Sequence, residues 1–200
     1  MRPKITLCLT ALWIFLLTSC VPTRTVHYYT LSPASAPAGQ ARLDGPTILV
    51  GLIATPESLQ DDRIRYRSGA NETGSYEYHR WEARPGAMVR DSLVRALRAS
   101  GKYRHVLESS SSSMGDYLVR GKLYEFAEVD SPAIQTRITL HLELLDKRTN
   151  RSIWDQHFER QEPASGKAIK DVVESMDRNL QQVAAGAAAE IDRFLSSLPH

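Results

Sequence analysis

"IQTRITLHLEL", residues 134–144, decides the fold of this chain. Every even position except Thr136 is apolar (Ile134, Ile138, Leu140, Leu142, Leu144), while Gln135, Arg137, Thr139, His141 and Glu143 occupy the odd ones. A period of two sends successive side chains to opposite faces, so this is a strand with one buried and one wet face. Its neighbours are extended in character too. Residues 117–129 precede it across "SPA" (131–133), and "RSIWDQHFER" (151–160) follows the turn residues "KRTN", with Trp154 and Phe158 on its apolar side. Three strands joined by short turns predict an antiparallel meander.

After the meander the period changes. From about 167 to 197, Ile169, Val172, Val173, Met176, Leu180, Val183, Ala184, Ala187, Ile191, Phe194, Leu195 and Leu198 recur at spacings of three and four, the mark of a long amphipathic helix. Its "AAGAAA" (184–189) permits close approach to a sheet or another helix; a subunit interface is the alternative. Upstream, "TILVGLIA" (47–54) is a continuous apolar run, as in a strand buried on both faces, and Pro56 ends it. "DRIRYR" (62–67) and "SYEYHRW" (75–81) alternate and predict a hairpin closed by the loose loop "SGANETG". Pro85 and Gly86 open a first helix with Val89, Leu93, Ala96 and Leu97 on one face, and Gly101 is placed to stop it. "YRHVL" reads as a strand, "SSSSSMG" as a surface loop, and "VHYYTL" (26–31) as a short strand ahead of a Pro/Ala/Gly-rich linker. The expected fold is α/β: a mixed, partly antiparallel sheet, including the three-strand meander, packed with two amphipathic helices.

The N-terminus has a different logic. Arg2 and Lys4 precede an apolar run from Ile5 to Leu17, and small residues follow, the order of a bacterial secretory signal. That run falls short of the roughly 20 residues a spanning helix needs. Leu17-Thr18-Ser19-Cys20 resembles the bacterial lipobox, in which the cysteine thiol is acylated and the chain is cut just before it. The expected organisation is therefore a removed signal at 1–19, a lipidated N-terminus with short strand and linker at 20–46, and a single α/β domain at 47–198. The only expected prosthetic group is the covalent lipid on Cys20. Cys8 leaves with the signal, so the mature chain keeps no free thiol and forms no disulfide. A processed lipoprotein carries enough acyl chains to stay on a membrane, and Val21 rather than Asp after the cysteine favours the outer one.

Composition narrows the functions. The full chain has 25 basic and 23 acidic side chains, and the signal takes two of the basic ones and no acid, leaving a neutral domain. Neutrality, with no basic stripe interleaved with aromatics, argues against nucleic acid. The sequence holds no G-x-S-x-G elbow, no H-E-x-x-H and no phosphate-binding loop. No catalytic residue is identified, and the loss of thiols excludes cysteine catalysis and cysteine zinc sites. One metal candidate is worth naming. If Leu144 faces Trp154 in the meander, His141 lies opposite His157 and Glu143 opposite Asp155, a set that could hold zinc. An ordinary wet sheet face is the favoured alternative. His79 and Trp81 could likewise form a site, but the simpler expectation is that Trp81 packs beneath the first helix and His79 points outward. Tyr28 and Tyr29 read as sheet residues, and no ligand-binding residue is assigned.

Three stretches together resemble a known family. "YYTL" follows the lipobox cysteine, then "ILVGLIATPESLQDDRIRYR" (48–67) and "EYHRWEARPGAMVRDSLVRAL" (77–97). An apolar strand, a proline, an Asp-Arg with Ile-x-Tyr-Arg, and a His-x-Trp leading into a helix make the pattern of the ABC-type transport auxiliary lipoproteins, the PqiC-like family. Many members have an acidic residue, proline and leucine where this chain has Arg84-Pro85-Gly86. The resemblance implies a non-enzymatic lipoprotein anchored in the outer membrane and facing the periplasm. Its implied partners are an MCE-domain substrate-binding protein, an ABC permease and an ATPase, with phospholipid or another hydrophobic molecule as cargo. It leaves room for a homo-oligomer. An envelope structural or assembly lipoprotein with no transporter is the competing expectation.

Overall fold

The structure is a computed structural model that describes residues 24–32, 42–69, 71–109, 114–130 and 132–198. The signal segment, Cys20 and most of the Pro/Ala/Gly-rich linker lie outside the described residues.

The meander forms as its alternation predicts and becomes the spine. Strands β6 (Tyr117–Asp130), β7 (Ile134–Asp146) and β8 (Arg151–Pro163) pair antiparallel. Asp146 accepts hydrogen bonds from the Arg148 and Thr149 amides at 2.7 and 3.1 Å, and Asn150 takes the left-handed conformation at φ 54°. A carboxylate bridging its own turn and an Asn at positive φ are what the short "KRTN" connection requires.

The other edge of β6 is shared. Its first half takes β2 (Thr47–Ala54) in parallel, with Val50 opposite Val119. Its second half takes β3 (Arg63–Ser68), also parallel, with Tyr66 opposite Glu128. Pro56 and a 3-10 turn at Glu57–Leu59 let the chain leave β6 and rejoin it lower down. The sheet therefore forks. β5 (His105–Glu108) extends the β2 branch; β4 (Glu72–Trp81) and β1 (His27–Tyr29) extend the β3 branch, giving eight strands in all.

Two expectations need correcting here. "TILVGLIA" is not buried on both faces throughout: a register shift between Val50 and Ile53 turns Leu52 outward, where it is 77% exposed. The cause is a bulge: Gly51 and Leu52 together stand opposite Arg120, which resets the alternation before Ile53 pairs with Gly121 and Ala54 with Lys122. The hairpin loop is also tighter than "SGANETG" suggests. Glu72, Thr73 and Gly74 pair with Ser68, Arg67 and Tyr66, because Gly69 at φ 67° closes the turn early. A side chain on Gly74 would collide with the Tyr66 ring, which lies across it.

Helix α1 (Pro85–Ala99) and helix α2 (Ile169–Ser197) cover one face of the sheet. The departure Arg84-Pro85-Gly86 has a local reason. A Cβ on Gly86 would sit 2.9 Å from the Ile53 carbonyl oxygen, so glycine lets the first turn of α1 lie directly on β2. Gly101 follows the helix at φ 68°, as placed from sequence. At the start of α2 the Asp171 carboxylate accepts the Ala168 amide at 3.1 Å, stabilising a turn whose amides have no helical partner. No helix among the described residues is long and apolar enough to cross a membrane. Of "AAGAAA", Ala184, Ala187 and Ala188 are buried, and the stripe lets α2 approach α1.

The core lies between the helices and the sheet. Ile138, Leu140, Leu142 and Leu144 meet Val119, Leu123 and Phe126 of β6, and α1 adds Val89, Leu93 and Leu97. Each such side chain contributes about 1.5–3 kcal/mol on burial. Thr136, the exception in the alternation, is fully buried as well, and it meets two polar residues of α2. Its hydroxyl lies 2.9 Å from Ser175 Oγ, and Asn179 Nδ2 donates to the Thr136 carbonyl at 3.0 Å and to the Arg160 carbonyl at 3.3 Å.

The domain has two poles. The starts of β2, β5 and β6 lie at one, with the ends of α1 and α2. The β3–β4 turn, the β6–β7 turn and the start of α2 lie at the other.

Candidate functional site

The register guessed for the meander is the one observed: Leu144 faces Trp154, His141 faces His157 and Glu143 faces Asp155. The side chains nevertheless do not form a ligand set. Glu143 is held by Arg120 at 2.8 Å, His141 Nε2 lies 3.8 Å from Asp155, and the His157 ring tilts toward Tyr124. Beside them Glu125 lies 3.1 Å from Arg67 and 3.8 Å from Arg137. Among the described residues no three His, Cys, Asp or Glu side chains converge as metal ligands would. This face is a lattice of cross-strand charge pairs, with long arginine stems over the buried Ala127 and Val129.

Trp81 packs as expected, buried edge-on against Phe126 with ring centroids 5.7 Å apart. His79 does not point outward. Its ring stacks on His27 at 5.5 Å, meets Tyr76 edge-on at 5.8 Å, and its Nδ1 lies 2.9 Å from the Tyr29 hydroxyl. This cluster is what fastens the three-residue β1 to the sheet. Beneath it Tyr76 donates to the buried Glu128 carboxylate at 2.7 Å, and burial raises the pKa of both groups. Beyond β1, the Ser32 amide donates to Asp177 of α2 at 3.1 Å. Sequence reading assigned Tyr28 and Tyr29 to a strand but could not see which strand received it.

Burial, and then the neighbouring His27, lower the His79 pKa below the usual 6.5. A depressed imidazole pKa means that the folded state prefers the neutral ring. The β1 contact is therefore complete above about 6.5, the value in the unfolded chain, and weakens as pH falls below it. We expect amide exchange across residues 27–31 to accelerate, beyond its intrinsic pH dependence, between pH about 7.5 and about 5.5. Unchanged protection would remove His79 from this role.

A concave site occurs at the pole where β2, β5 and β6 begin. It is a cleft of about 740 Å³ whose walls include Arg42, Asp44, Lys102, Arg104 and Tyr117. At its base the buried Tyr103 hydroxyl donates to the buried Asp192 carboxylate, with Lys102 Nζ 3.8 Å from the same group. Burial first, then the Asp192 bond, push the Tyr103 pKa up, so the phenol remains a proton donor at any physiological pH. Arg42 pairs with Asp44 at 2.9 Å, and the Arg104 guanidinium donates to the Leu43 carbonyl. Two of its cations are thus paired with carboxylates and a third with a carbonyl, which suits the cleft to polar docking. Around it stand Leu43 and Met114, 86% and 89% exposed, the barest large apolar side chains among the described residues. No motif announces this site, because Tyr103 and Asp192 are 89 positions apart.

Cys20, the predicted lipidation site, lies outside the described residues; Arg24, the first described residue, places its guanidinium 5.4 Å from the Tyr78 ring centroid.

A family model for the ABC-type transport auxiliary lipoprotein component matches residues 29–188. Among solved structures, a protein from Xanthomonas campestris superposes with a TM-score of 0.77 at 20% identity, over 86% of this chain and 100% of its own. An uncharacterised protein gives a TM-score of 0.66 at 18% identity, over 84% and 99% of the two chains. A hypothetical protein from Chlamydia trachomatis gives 0.51 at 10% identity, over 74% and 96%. At these identities the likeness is one of fold. No curated protein matches the chain in sequence.

Proposed function

The chain belongs to the ABC-type transport auxiliary lipoprotein family, and from that premise we propose that it is the membrane-anchored, non-enzymatic component of an ABC/MCE-type envelope transporter. The signal at 1–19 is removed, Cys20 carries the lipid, and the domain works in the periplasm on the outer membrane. Val21 in place of Asp after the cysteine supports that membrane over the inner one. Its partners are an MCE-domain substrate-binding protein and, through it, the permease and the ATPase. The cargo is phospholipid or another hydrophobic molecule.

The observation that carries this reading is the family match from Tyr29 onward, which begins nine residues after a lipobox-like cysteine. The cleft fits it as well: Arg42 pairs with Asp44 and Lys102 with Asp192 in its wall, and the exposed Leu43 and Met114 stand beside it, which suits a protein contact more than catalysis. ATP hydrolysis and cargo carriage belong to the partners, and this chain supplies position at the membrane.

The test is capture of the tagged, full-length protein from gently solubilised membranes. An MCE-domain protein should co-purify, and Leu43→Glu with Met114→Glu should reduce its recovery several-fold while the domain stays folded. Recovery of the protein with envelope assembly factors and no MCE protein would favour the structural lipoprotein instead.

A further inference from the structure

A lipid anchor fixes where a domain is held, and a short tether also fixes which way it faces. Cys20 is four residues from Arg24, so whatever the conformation between them it lies within about 14 Å of Arg24. Arg24 is itself held against the ring of Tyr78 on β4. The level of the next contacts follows from strand register. Tyr28 stands opposite Arg80, Arg80 opposite Arg63, and Arg65 opposite Ala127 of β6. Tyr28 is therefore level with about residue 125 of β6, some 25 Å along the strand from Tyr117 at the cleft pole. Because β1 runs parallel to β4 and antiparallel to β6, the chain before Tyr28 leads away from the cleft, toward the β3–β4 turn. Cys20 cannot climb back to the cleft pole on its tether.

We propose that the pole formed by the β3–β4 turn, the β6–β7 turn and the segment entering α2 rests on lipid headgroups, and that the cleft at the opposite pole faces away from the bilayer. This orientation depends on the reading of Cys20 as the lipidated residue. The surface beside the tether has the chemistry of a headgroup contact. Tyr28 is 63% exposed, Val26 is exposed, and the Tyr78 ring carries the Arg24 cation. Tyrosine and arginine with one apolar side and one wet side suit the depth at which headgroups meet acyl chains. At the far pole Leu43 and Met114 are then kept out of lipid and presented to the aqueous side, where a protein partner can reach them.

Processing leaves no native thiol free, so a single introduced cysteine can report position. Asn71, in the β3–β4 turn, and Arg148, in the β7–β8 turn, are both exposed and lie at opposite poles. Lipidated full-length Asn71→Cys and Arg148→Cys proteins, each carrying a fluorophore, would be reconstituted into phosphatidylethanolamine/phosphatidylglycerol vesicles containing headgroup-nitroxide lipid. Quenching at Asn71 should exceed quenching at Arg148 several-fold, with Arg148 close to its value in nitroxide-free vesicles. Equal quenching at the two positions, or stronger quenching at Arg148, in protein that floats with the vesicles overturns the orientation and leaves the anchor standing. Protein that fails to float overturns the anchor and the orientation with it.

Discussion

Cys20→Ala should abolish fatty-acid incorporation and leave a larger, uncut precursor. In the lipidation proposed for Cys20 the thiol is the nucleophile that accepts the diacylglycerol, and alanine has nothing to put in its place. The effect is all-or-none because no second thiol can substitute: Cys8 lies inside the apolar run, ahead of the cleavage point. Membrane association then rests on the uncut apolar segment from Ile5 to Leu17, short of the roughly 20 residues that hold a helix across a bilayer. A metabolically incorporated fatty-acid label and gel mobility read the two consequences separately. Label persisting on the alanine variant would place the acylation elsewhere, and with it the anchor on which the orientation of the domain depends.

Asn179→Leu should lower the stability of the domain by about 2–3 kcal/mol, read as a fall of roughly 5–10 °C in melting temperature. Leucine is close to asparagine in size and would normally gain from burial. Here it removes the donor that serves the Thr136 and Arg160 carbonyls, and it sets an alkyl group against the Thr136 and Ser175 hydroxyls. Each lost hydrogen bond costs about 0.5–1.5 kcal/mol, and together they outweigh what the added methyl surface returns. The logic predicts a second outcome. In the triple variant Thr136→Val, Ser175→Ala, Asn179→Leu the hydroxyls disappear together, so the loss should be smaller than the sum of the single losses. Strict additivity would mean that the three side chains act independently.

That network also marks a boundary between what could be read and what could not. Thr136 was visible as the one polar residue in an apolar row, and Ser175 and Asn179 interrupt the apolar stripe of α2 at a spacing of four. Each anomaly was local and legible, but that they answer one another across the sheet–helix interface was not. The same holds for His79. Its neighbours in sequence suggested a solvent-facing imidazole, whereas His27 and Tyr29 arrive from β1, some fifty positions away, to cover it. Leu52 is exposed for a related reason: a continuous apolar run says that a strand is buried, but not where a bulge resets its register against the partner strand.

By itself the sequence determined the elements. Period-two alternation marked the meander and the buried face of β7, since a slip of one residue would expose Leu140, Leu142 and Leu144 together; the pairing of Leu144 with Trp154 was a supposition that the structure bears out. Spacings of three and four specified α2. Those are local constraints, carried by neighbours within a turn or a hairpin. Only the tertiary structure decided the fork in the sheet, the docking of β1 on β4 and the cleft around Tyr103 and Asp192. Parallel pairings such as β2 with β6 join residues about seventy positions apart through hydrogen bonds between backbones, and backbone groups are the same at every residue. The register of such pairs leaves little trace in side-chain pattern, so it becomes readable only once the chain has folded.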